Sequence, residues 1–222
     1  FATAAVIVVM SLIGISRLQV ENSFINYFDK DTEIYKGMKL IDEELGGTTP
    51  LEVILKFPNE ESQETNEDDD WGDDEEDNSK YWFTKDKIDK INKVHNYLEN
   101  LEHVGKVLSF RSILKVAESL NNNKPLGGLE IGVLYTKLPE NIKREIVTPY
   151  VSIDDSEARI SLRLKDSNKN LRRNELIKKI NNDLKNEIKL SEDEYKLAGV
   201  LIIFNNLLQS LFKSQILTLG FV

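Results

Sequence analysis

The sequence contains no cysteine and only two histidines, His95 and His103. The absence of cysteine excludes disulfide bonds and thiolate metal sites, and it suits a bacterial extracytoplasmic domain. Neither histidine lies at a metal-ligand spacing. No basic stretch is interleaved with aromatic residues in the manner typical of nucleic-acid-binding proteins. We therefore expect no catalytic residue, no metal, no cofactor and no nucleic-acid partner, and we expect that the protein is not an enzyme.

Charge is nearly absent from both ends of the chain. Residues 1–15 carry no ionisable group, and residues 201–222 carry only Lys213. Because a bilayer span needs about 20 apolar residues, we expect 1–16 to be the end of a first transmembrane helix and 201–222 the start of a second. A signal-peptide core is the alternative for the first stretch, but no basic region precedes it and no small-residue cleavage site follows. Residues 17–200 are then expected to form an extracytoplasmic domain of a larger membrane protein.

The net charge of −9 comes from one segment of the chain. Residues 59–79 hold twelve acidic residues and no basic one, so the rest of the chain carries +3. Charge repulsion, together with a single large apolar residue, Trp71, predicts a disordered insertion over 59–80. Clustered carboxylates could instead bind a divalent cation, but the position of Gly72 does not fit an EF-hand loop.

Apolar periodicity and breaker residues predict the secondary structure. Helices are expected over 33–45, 85–102, 112–120, 129–137, 140–146 and 171–189. Strands are expected over 51–58, 103–110 and 193–200, with a hairpin over 149–166. The first helix is capped by Asp31 or Thr32 and ended by Gly46-Gly47. Its apolar residues form one stripe: Ile34, Met38, Ile41 and Leu45.

Without the acidic insertion and the short helices, the element order is strand, helix, strand, strand, helix, strand. This order is the split βαβ pattern, which predicts an α+β, ferredoxin-like domain with an antiparallel sheet and helices on one face. Right-handed crossovers favour the same arrangement. The helices within 112–146 lengthen the link between the two halves.

Four local patterns resemble a known family when they are taken in order. The exit from the first apolar segment, residues 17–47, has an extended lead, a capped helix and a glycine pair. The second pattern is a strand leading into a helix, and its matching residues are Val104, Val107 and Ser109. The third is a hairpin leading into a strand, and its matching residues are Ser152, Asp154, Ala158 and Arg159. The closing pattern, residues 195–215, has Ala198-Gly199 where many relatives have threonine–glycine. This succession resembles the first extracytoplasmic porter loop of the resistance–nodulation–division (RND) superfamily, in its MMPL, patched-like and hydrophobe/amphiphile efflux branch.

The resemblance implies a proton-driven exporter of lipids or other hydrophobic or amphiphilic molecules in the bacterial inner membrane, with this domain facing the periplasm or the exterior. Its expected partners are the cargo, the remainder of the same transporter, and a homo-oligomeric or periplasmic partner. The proton-relay carboxylates of the family lie in later transmembrane helices, so no relay residue is carried over to this chain. Two alternatives stay open: the sensor domain of a two-span receptor, and the periplasmic domain of an RND-related protein-export subunit.

Phe24, Tyr27 and Phe28 are the candidate site residues. They follow the first apolar segment and could line a hydrophobic substrate path just above the bilayer. They could equally form an interfacial aromatic belt or pack onto the domain, since amphipathic rings settle at the headgroup level.

The other polar candidates have ordinary structural interpretations. His95 lies on the apolar face of its helix and is expected to be a core histidine whose hydrogen bonds are satisfied. Ser109 has no base at a recognisable spacing, so a Ser-His-Asp site is not predicted. Arg159, Arg163 and Lys165 alternate along one strand face, which we expect to be solvated, with salt bridges or a polar cleft as the alternative.

Overall fold

The computed structural model describes residues 2–16, 23, 25–58, 81–168 and 170–221. Its helices are α1 (Ala2–Ser16), α2 (Glu33–Glu44), α3 (Lys85–Glu99), α4 (Phe110–Leu120), α5 (Gly128–Lys137), α6 (Glu140–Ile142), α7 (Arg173–Asn186) and α8 (Val200–Phe221). Its strands are β1 (Thr49–Lys56), β2 (Val104–Leu108), β3 (Val151–Ser152), β4 (Glu157–Leu164) and β5 (Tyr195–Ala198). A 3₁₀ turn at Ile25–Tyr27 precedes α2, and a π-helical turn at Lys143–Val147 follows α6.

The five strands form one antiparallel sheet in the order β2–β4–β1–β5, and β3 pairs with the first residues of β4. In the central pair Thr49 faces Leu164, so β1 starts where β4 ends. The start of β2 and the end of β5 lie towards the same end, because Val104 also pairs with Leu164 and Ala198 pairs with Glu52. We call this the α8 end of the sheet, since α8 follows β5 directly.

Strand β4 shows why one face of the sheet is buried. Its even-numbered residues from Ala158 to Leu164 are at most 1 % exposed, whereas Arg159 and Arg163 between them are exposed. Side chains alternate between the two faces of a strand, so the apolar set lies together on one face. It forms one buried cluster with apolar side chains of α3 and α7. The predicted α+β class with an antiparallel sheet is therefore confirmed.

The helix starts follow from side-chain capping. Of the two predicted caps of α2, Asp31 and Thr32, the hydroxyl of Thr32 is the one that caps it, and the hydroxyl of Thr84 caps α3. Helix α4 begins at Phe110 rather than at the predicted residue 112, because the Ser109 hydroxyl accepts a hydrogen bond from the Arg111 amide (3.1 Å). The preceding strand, β2, is correspondingly shorter than predicted.

The acidic insertion, 59–80, lies outside the described residues, and so do the predictions of disorder and of cation binding made for it. Its flanking residues meet at the end of the sheet opposite to α8, which we call the far end. The rings of Phe57 and Trp82 pack edge to face with centroids 5.7 Å apart. Both residues bind Ser156: the Phe57 amide donates to its carbonyl oxygen (2.9 Å), and the Trp82 indole donates to its hydroxyl (3.2 Å).

Helix α8 leaves the sheet through Gly199, which has a φ of +101° and lies against β1. Within the part of the chain that the structure describes, one helical stretch, Val200–Thr218, is long and apolar enough to cross a bilayer. Its first turn is anchored, since Leu201 is 2 % exposed, but Ile203 is already 71 % exposed. Helix α1 is shorter, at 15 residues, and carries no charge.

Candidate functional site at the α8 end of the sheet

The chain that follows α1 binds the α8 end of the sheet. The Ser23 hydroxyl donates a hydrogen bond to Oδ2 of Asp166 (2.7 Å), and the Ile25 amide donates to the same oxygen (3.3 Å). Asp166 lies just beyond the last residue of β4, Leu164, and the Ile25 side chain is buried. The segment leaving α1 and the start of α8 are therefore both attached to the same end of the sheet.

A buried ion pair fixes this attachment to α7. Oδ1 of Asp166 accepts a hydrogen bond from the guanidinium of Arg173, the first residue of α7. The two residues are 2 % and 8 % exposed. Removing one partner of a buried pair leaves an uncompensated charge, which typically destabilises a protein by about 3–5 kcal/mol. The pair therefore joins the segment after α1, the end of β4 and the start of α7 into one unit.

A second buried carboxylate, Asp42, fastens α2 to the same place. Its Oδ1 accepts hydrogen bonds from the amide (2.9 Å) and hydroxyl (2.7 Å) of Thr48 and from the Asp166 amide (2.8 Å). Its Oδ2 accepts one from the Ser167 amide (2.8 Å). Burial alone raises the pKa of Asp42, but the hydrogen bonds from Ser167, Thr48 and Asp166 outweigh it and hold the pKa below its ordinary value. Asp42 is thus ionised at neutral pH and acts as an acceptor only.

These three buried groups, Asp42, Asp166 and Arg173, are absent from the site residues that the sequence predicts. Asp42 stands in a run of acids, IDEE, and resembles a surface residue of an amphipathic helix. Its partners Asp166 and Ser167 lie 124 and 125 residues away in the chain. A contact of this kind leaves no local sequence pattern, so no periodicity or motif could have found it.

The predicted path residues lie next to this network. Phe24 is outside the described residues. Tyr27, in the 3₁₀ turn, is 57 % exposed, and Phe28 is half-buried. Because Ile25 is hydrogen-bonded to Asp166, Tyr27 and Phe28 are held close to the α8 end. Their role in a substrate path stays a prediction.

A groove of about 490 Å³ opens beside the end of α2. Its charged lining comes from three basic and two acidic side chains: Lys106, Arg163, Lys165, Glu43 and Glu44. The backbone of Gly105 packs directly on Gly46, and a Cβ on Gly105 would lie 2.4 Å from the Gly46 carbonyl oxygen. This close approach brings the basic residues next to α2. Arg163 and Lys165 therefore line a polar cleft, which the sequence analysis gave as an alternative to a solvated strand face.

Arg159, further along β4, has a different environment. It pairs with Glu52 of β1 (3.6 Å) on the open face of the sheet. It also lines a second groove, of about 230 Å³, together with Ile54 and Tyr150. An exposed ion pair of this kind contributes about 0–1 kcal/mol, so it orients Arg159 more than it stabilises the domain.

His95 and Ser109 meet inside the domain, away from the α8 end network. Nδ1 of His95 lies 2.8 Å from Oγ of Ser109, and its Nε2 lies 3.8 Å from Glu99. Burial is the main cause that lowers the pKa of His95, opposed by the charge of Glu99 and assisted by those of Lys115 and Arg111. The arrangement superficially resembles a catalytic triad.

Accessibility excludes catalysis by this pair. His95 is 1 % exposed and Ser109 is 0 % exposed, so a substrate cannot reach the hydroxyl. Ser109 is already engaged as the cap of α4. The predicted core role of His95 is confirmed, whereas its serine partner was missed because the two residues belong to different elements.

The same parts of the chain contain no arrangement suited to a metal. Within residues 2–16, 23, 25–58, 81–168 and 170–221, no group of three or more acidic or histidine side chains is placed to hold a metal ion. The carboxylates of Asp42 and Asp166 accept hydrogen bonds from amides, hydroxyls and a guanidinium.

The α8 end thus combines the start of the apolar helix α8, a buried carboxylate network and a basic groove. Comparison with known proteins adds no family to these features: no family model matches the chain, and no curated protein matches it significantly.

Proposed function

We propose that this chain forms the first extracytoplasmic porter domain of a proton-driven, RND-type exporter of lipids or other hydrophobic or amphiphilic molecules. The observation that carries this proposal is that Ser23 and Ile25, which lie between α1 and α2, and the apolar helix α8 are attached to the same end of an antiparallel sheet. The strand order β2–β4–β1–β5, with α3 after β1 and α7 after β4, supports the finer assignment to the ferredoxin-like split βαβ class.

The surface of α8 supports insertion into a bilayer. Ile203, Leu207 and Leu211 are each at least 50 % exposed. Exposure of apolar surface to water is unfavourable by about 25 cal/mol per Å², whereas a bilayer accommodates it. A helix also satisfies its own backbone hydrogen bonds, as a membrane-spanning segment must.

The proposed mechanism is alternating access, with cargo entering from the outer leaflet at the α8 end. Tyr27 and Phe28 would present aromatic surface to a hydrophobic molecule at this point. The Asp166–Arg173 pair connects the segment after α1 to α7. A displacement of the first transmembrane helix would therefore be transmitted to the domain as a rigid-body movement, while proton relay would take place in other spans.

Gradient-driven export tests this proposal. The full-length protein containing this chain is reconstituted into liposomes that hold a fluorescent phospholipid, and efflux is measured with an imposed pH gradient. We expect efflux that a protonophore abolishes. The double variant Phe24→Ala, Phe28→Ala should reduce the rate several-fold at an unchanged protein level.

Tyr81→Ala is the matched control, because Tyr81 is also an exposed aromatic residue (56 %) but lies at the far end of the sheet. It should retain wild-type efflux. Absence of gradient-driven lipid efflux would contradict the exporter. Ligand-dependent signalling would then favour the receptor, and gradient-driven movement of an unfolded protein would favour the export subunit.

A further inference from the structure

Helix α2 exposes most of its apolar stripe. Its contacts with the domain are made by the face that contains Tyr35, Met38 and Asp42, and Asp42 is the residue buried on it. The adjacent face carries apolar residues that stay open to the surroundings: Ile34 (57 % exposed), Ile41 (40 %) and Leu45 (61 %). Helix α2 is thus held to the domain by a buried carboxylate. Its exposed aliphatic residues do not contribute to that attachment.

Helix α2 lies beside the segment that follows α1, since it contacts the 3₁₀ turn at Ile25–Tyr27. Its C-terminal part is bound through Asp42 to the Asp166 and Ser167 amides, and Asp166 in turn binds Ser23 and Ile25. The exposed apolar face is therefore at the α8 end of the domain, where the apolar helix α8 is attached.

The basic groove continues this face. Leu45, at the end of the stripe, lines the groove together with Lys106, Arg163 and Lys165. Two acidic residues also line the groove. One of them, Glu43, has its Oε1 3.7 Å from Nζ of Lys39, so that its negative charge is partly neutralised. The groove therefore carries an excess of positive charge directly beside exposed aliphatic surface. This combination matches the phosphate and acyl regions of an anionic lipid.

We propose that α2 is an interfacial helix whose Ile34, Ile41 and Leu45 enter the headgroup–acyl boundary of the bilayer, while Lys106, Arg163 and Lys165 bind the phosphodiesters of anionic lipids. The inference rests on the proposed function only in placing a bilayer at the α8 end. It makes the membrane surface itself the partner that covers the open face of α2. The covering surface is continuous with the lipid that surrounds α8.

Spin labelling tests the position of α2, and the absence of cysteine from the chain makes every label site unique. The full chain is placed in nanodiscs that contain phosphatidylglycerol, with one label at Ile41→Cys or Leu45→Cys. Lys36→Cys, on the opposite side of the same helix, is the matched control. Collision rates with oxygen, which concentrates in lipid, and with a water-soluble nickel complex are then compared.

We expect an oxygen-to-nickel ratio several-fold higher at positions 41 and 45 than at position 36. Equal ratios at all three positions would overturn the inference, because α2 would then lie in water. Low collision rates with both reagents at 41 and 45 would also overturn it, since a protein surface would cover the stripe. A label at Leu207→Cys reports separately on insertion of α8, so that failure of α2 alone is distinguished from failure of the membrane anchoring.

The lipid charge tests the groove. The ratio at position 41 should be higher in phosphatidylglycerol than in phosphatidylcholine nanodiscs. The triple variant Lys106→Gln, Arg163→Gln, Lys165→Gln should abolish this difference. Lys196→Gln, which removes a basic residue exposed on β5 outside the groove, should retain it. Retention of the lipid-charge effect in the triple variant would contradict headgroup binding by the groove.

Discussion

At the scale of single residues, the α8 end depends on Asp42, which is 0 % exposed and accepts four hydrogen bonds. Asp42→Ala removes the acceptor of the Asp166 and Ser167 amides and of the Thr48 hydroxyl, whereas the Thr48 amide keeps a second bond to the Leu164 carbonyl oxygen. Each unsatisfied buried group costs about 1–3 kcal/mol. We expect the free energy of unfolding, measured by urea denaturation of the full chain in micelles, to fall by about 3 kcal/mol.

The neighbouring variant Glu43→Ala is the control, since Glu43 is exposed and should change stability by less than about 0.5 kcal/mol. Acid provides a second test. The pKa of Asp42 is lower in the folded protein than its ordinary 3.8. The stabilisation that ionised Asp42 contributes is therefore complete above pH 3.8, and it is lost as the pH falls through the lower pKa of the folded protein. Equal stability of Asp42→Ala and Glu43→Ala at neutral pH would contradict the assigned role.

His95 makes a separate prediction about pH. Because burial lowers its pKa in the folded protein below the ordinary 6.5, the neutral imidazole stabilises the fold above that value. This stabilisation is lost as pH falls through the folded pKa. The free energy of unfolding should thus decrease as the pH falls below 6.5, and His95→Gln should flatten this dependence. A pH dependence unchanged by His95→Gln would contradict the prediction.

Residues of the candidate site were predictable only where they belong to a local pattern. Tyr27 and Phe28 are recognisable because they follow an apolar segment, and His95 because it lies at helical spacing on an apolar face. Asp42, Asp166 and Arg173 were not predictable, since their importance comes from contacts between segments far apart in the chain. Burial, which distinguishes them from surface charges, depends on the tertiary structure.

At the scale of elements, Gly47 between α2 and β1 has a conformation that other residues adopt only with strain. Its φ is +105°, and a Cβ would lie 2.4 Å from the Leu164 carbonyl oxygen. Gly47→Ala should therefore lower the free energy of unfolding by about 3 kcal/mol, through backbone strain together with displacement of β4. Denaturation of the full chain in micelles measures this change.

At Gly37, close to Gly47 in the chain, we expect substitution by alanine to have the opposite effect on stability. Gly37 lies in the middle of α2, and a Cβ there meets no atom within 4 Å. Gly37→Ala should stabilise the protein by up to about 1 kcal/mol, because alanine has a higher helix propensity than glycine. A loss of stability in Gly37→Ala as large as that in Gly47→Ala would show that the turn geometry is not the cause.

The acidic insertion should be dispensable for folding. Phe57 and Trp82, on either side of the insertion, pack together and both bind Ser156. Replacing these residues with a short Gly-Ser linker shortens a loop, which should change the free energy of unfolding by no more than about 1 kcal/mol. Trp82→Ala, in contrast, should cost about 3 kcal/mol because it empties a buried site. A larger loss on replacing the insertion than in Trp82→Ala would contradict this expectation.

Helix α2 shows what element-level patterns can and cannot predict. Its period and its caps predict where it begins and ends, because these depend on neighbouring residues. They do not predict which side contacts the domain. The structure attaches α2 through the face that contains Asp42 and leaves Ile34, Ile41 and Leu45 exposed, since the carboxylate has fixed partners in the β4–α7 connection. Helix α3, whose apolar face is wide and whose partners are the sheet, follows its predicted pattern closely.

At the scale of the whole molecule, the order of the helices and strands predicted more of the fold than any single residue did. The β-branched and aliphatic residues of β1, the alternation in β4 and the helical periods in α3 and α7 predict a mixed α+β domain with an antiparallel sheet, as observed. Contacts between the segment after α1, α2 and the β4–α7 connection were not predictable, because they involve irregular backbone. These contacts are the ones that assemble the α8 end.

The exporter proposal requires the domain to stand on the outer side of a membrane, with its α8 end towards the lipid and its far end away from it. The most direct measurement is labelling of Asp154→Cys, an exposed position in the turn between β3 and β4 at the far end, with a membrane-impermeant maleimide in intact cells. We predict complete labelling at Asp154→Cys and protection of Leu207→Cys in α8. Labelling of Asp154→Cys only after the cells are lysed would contradict an extracytoplasmic domain and, with it, the proposed function.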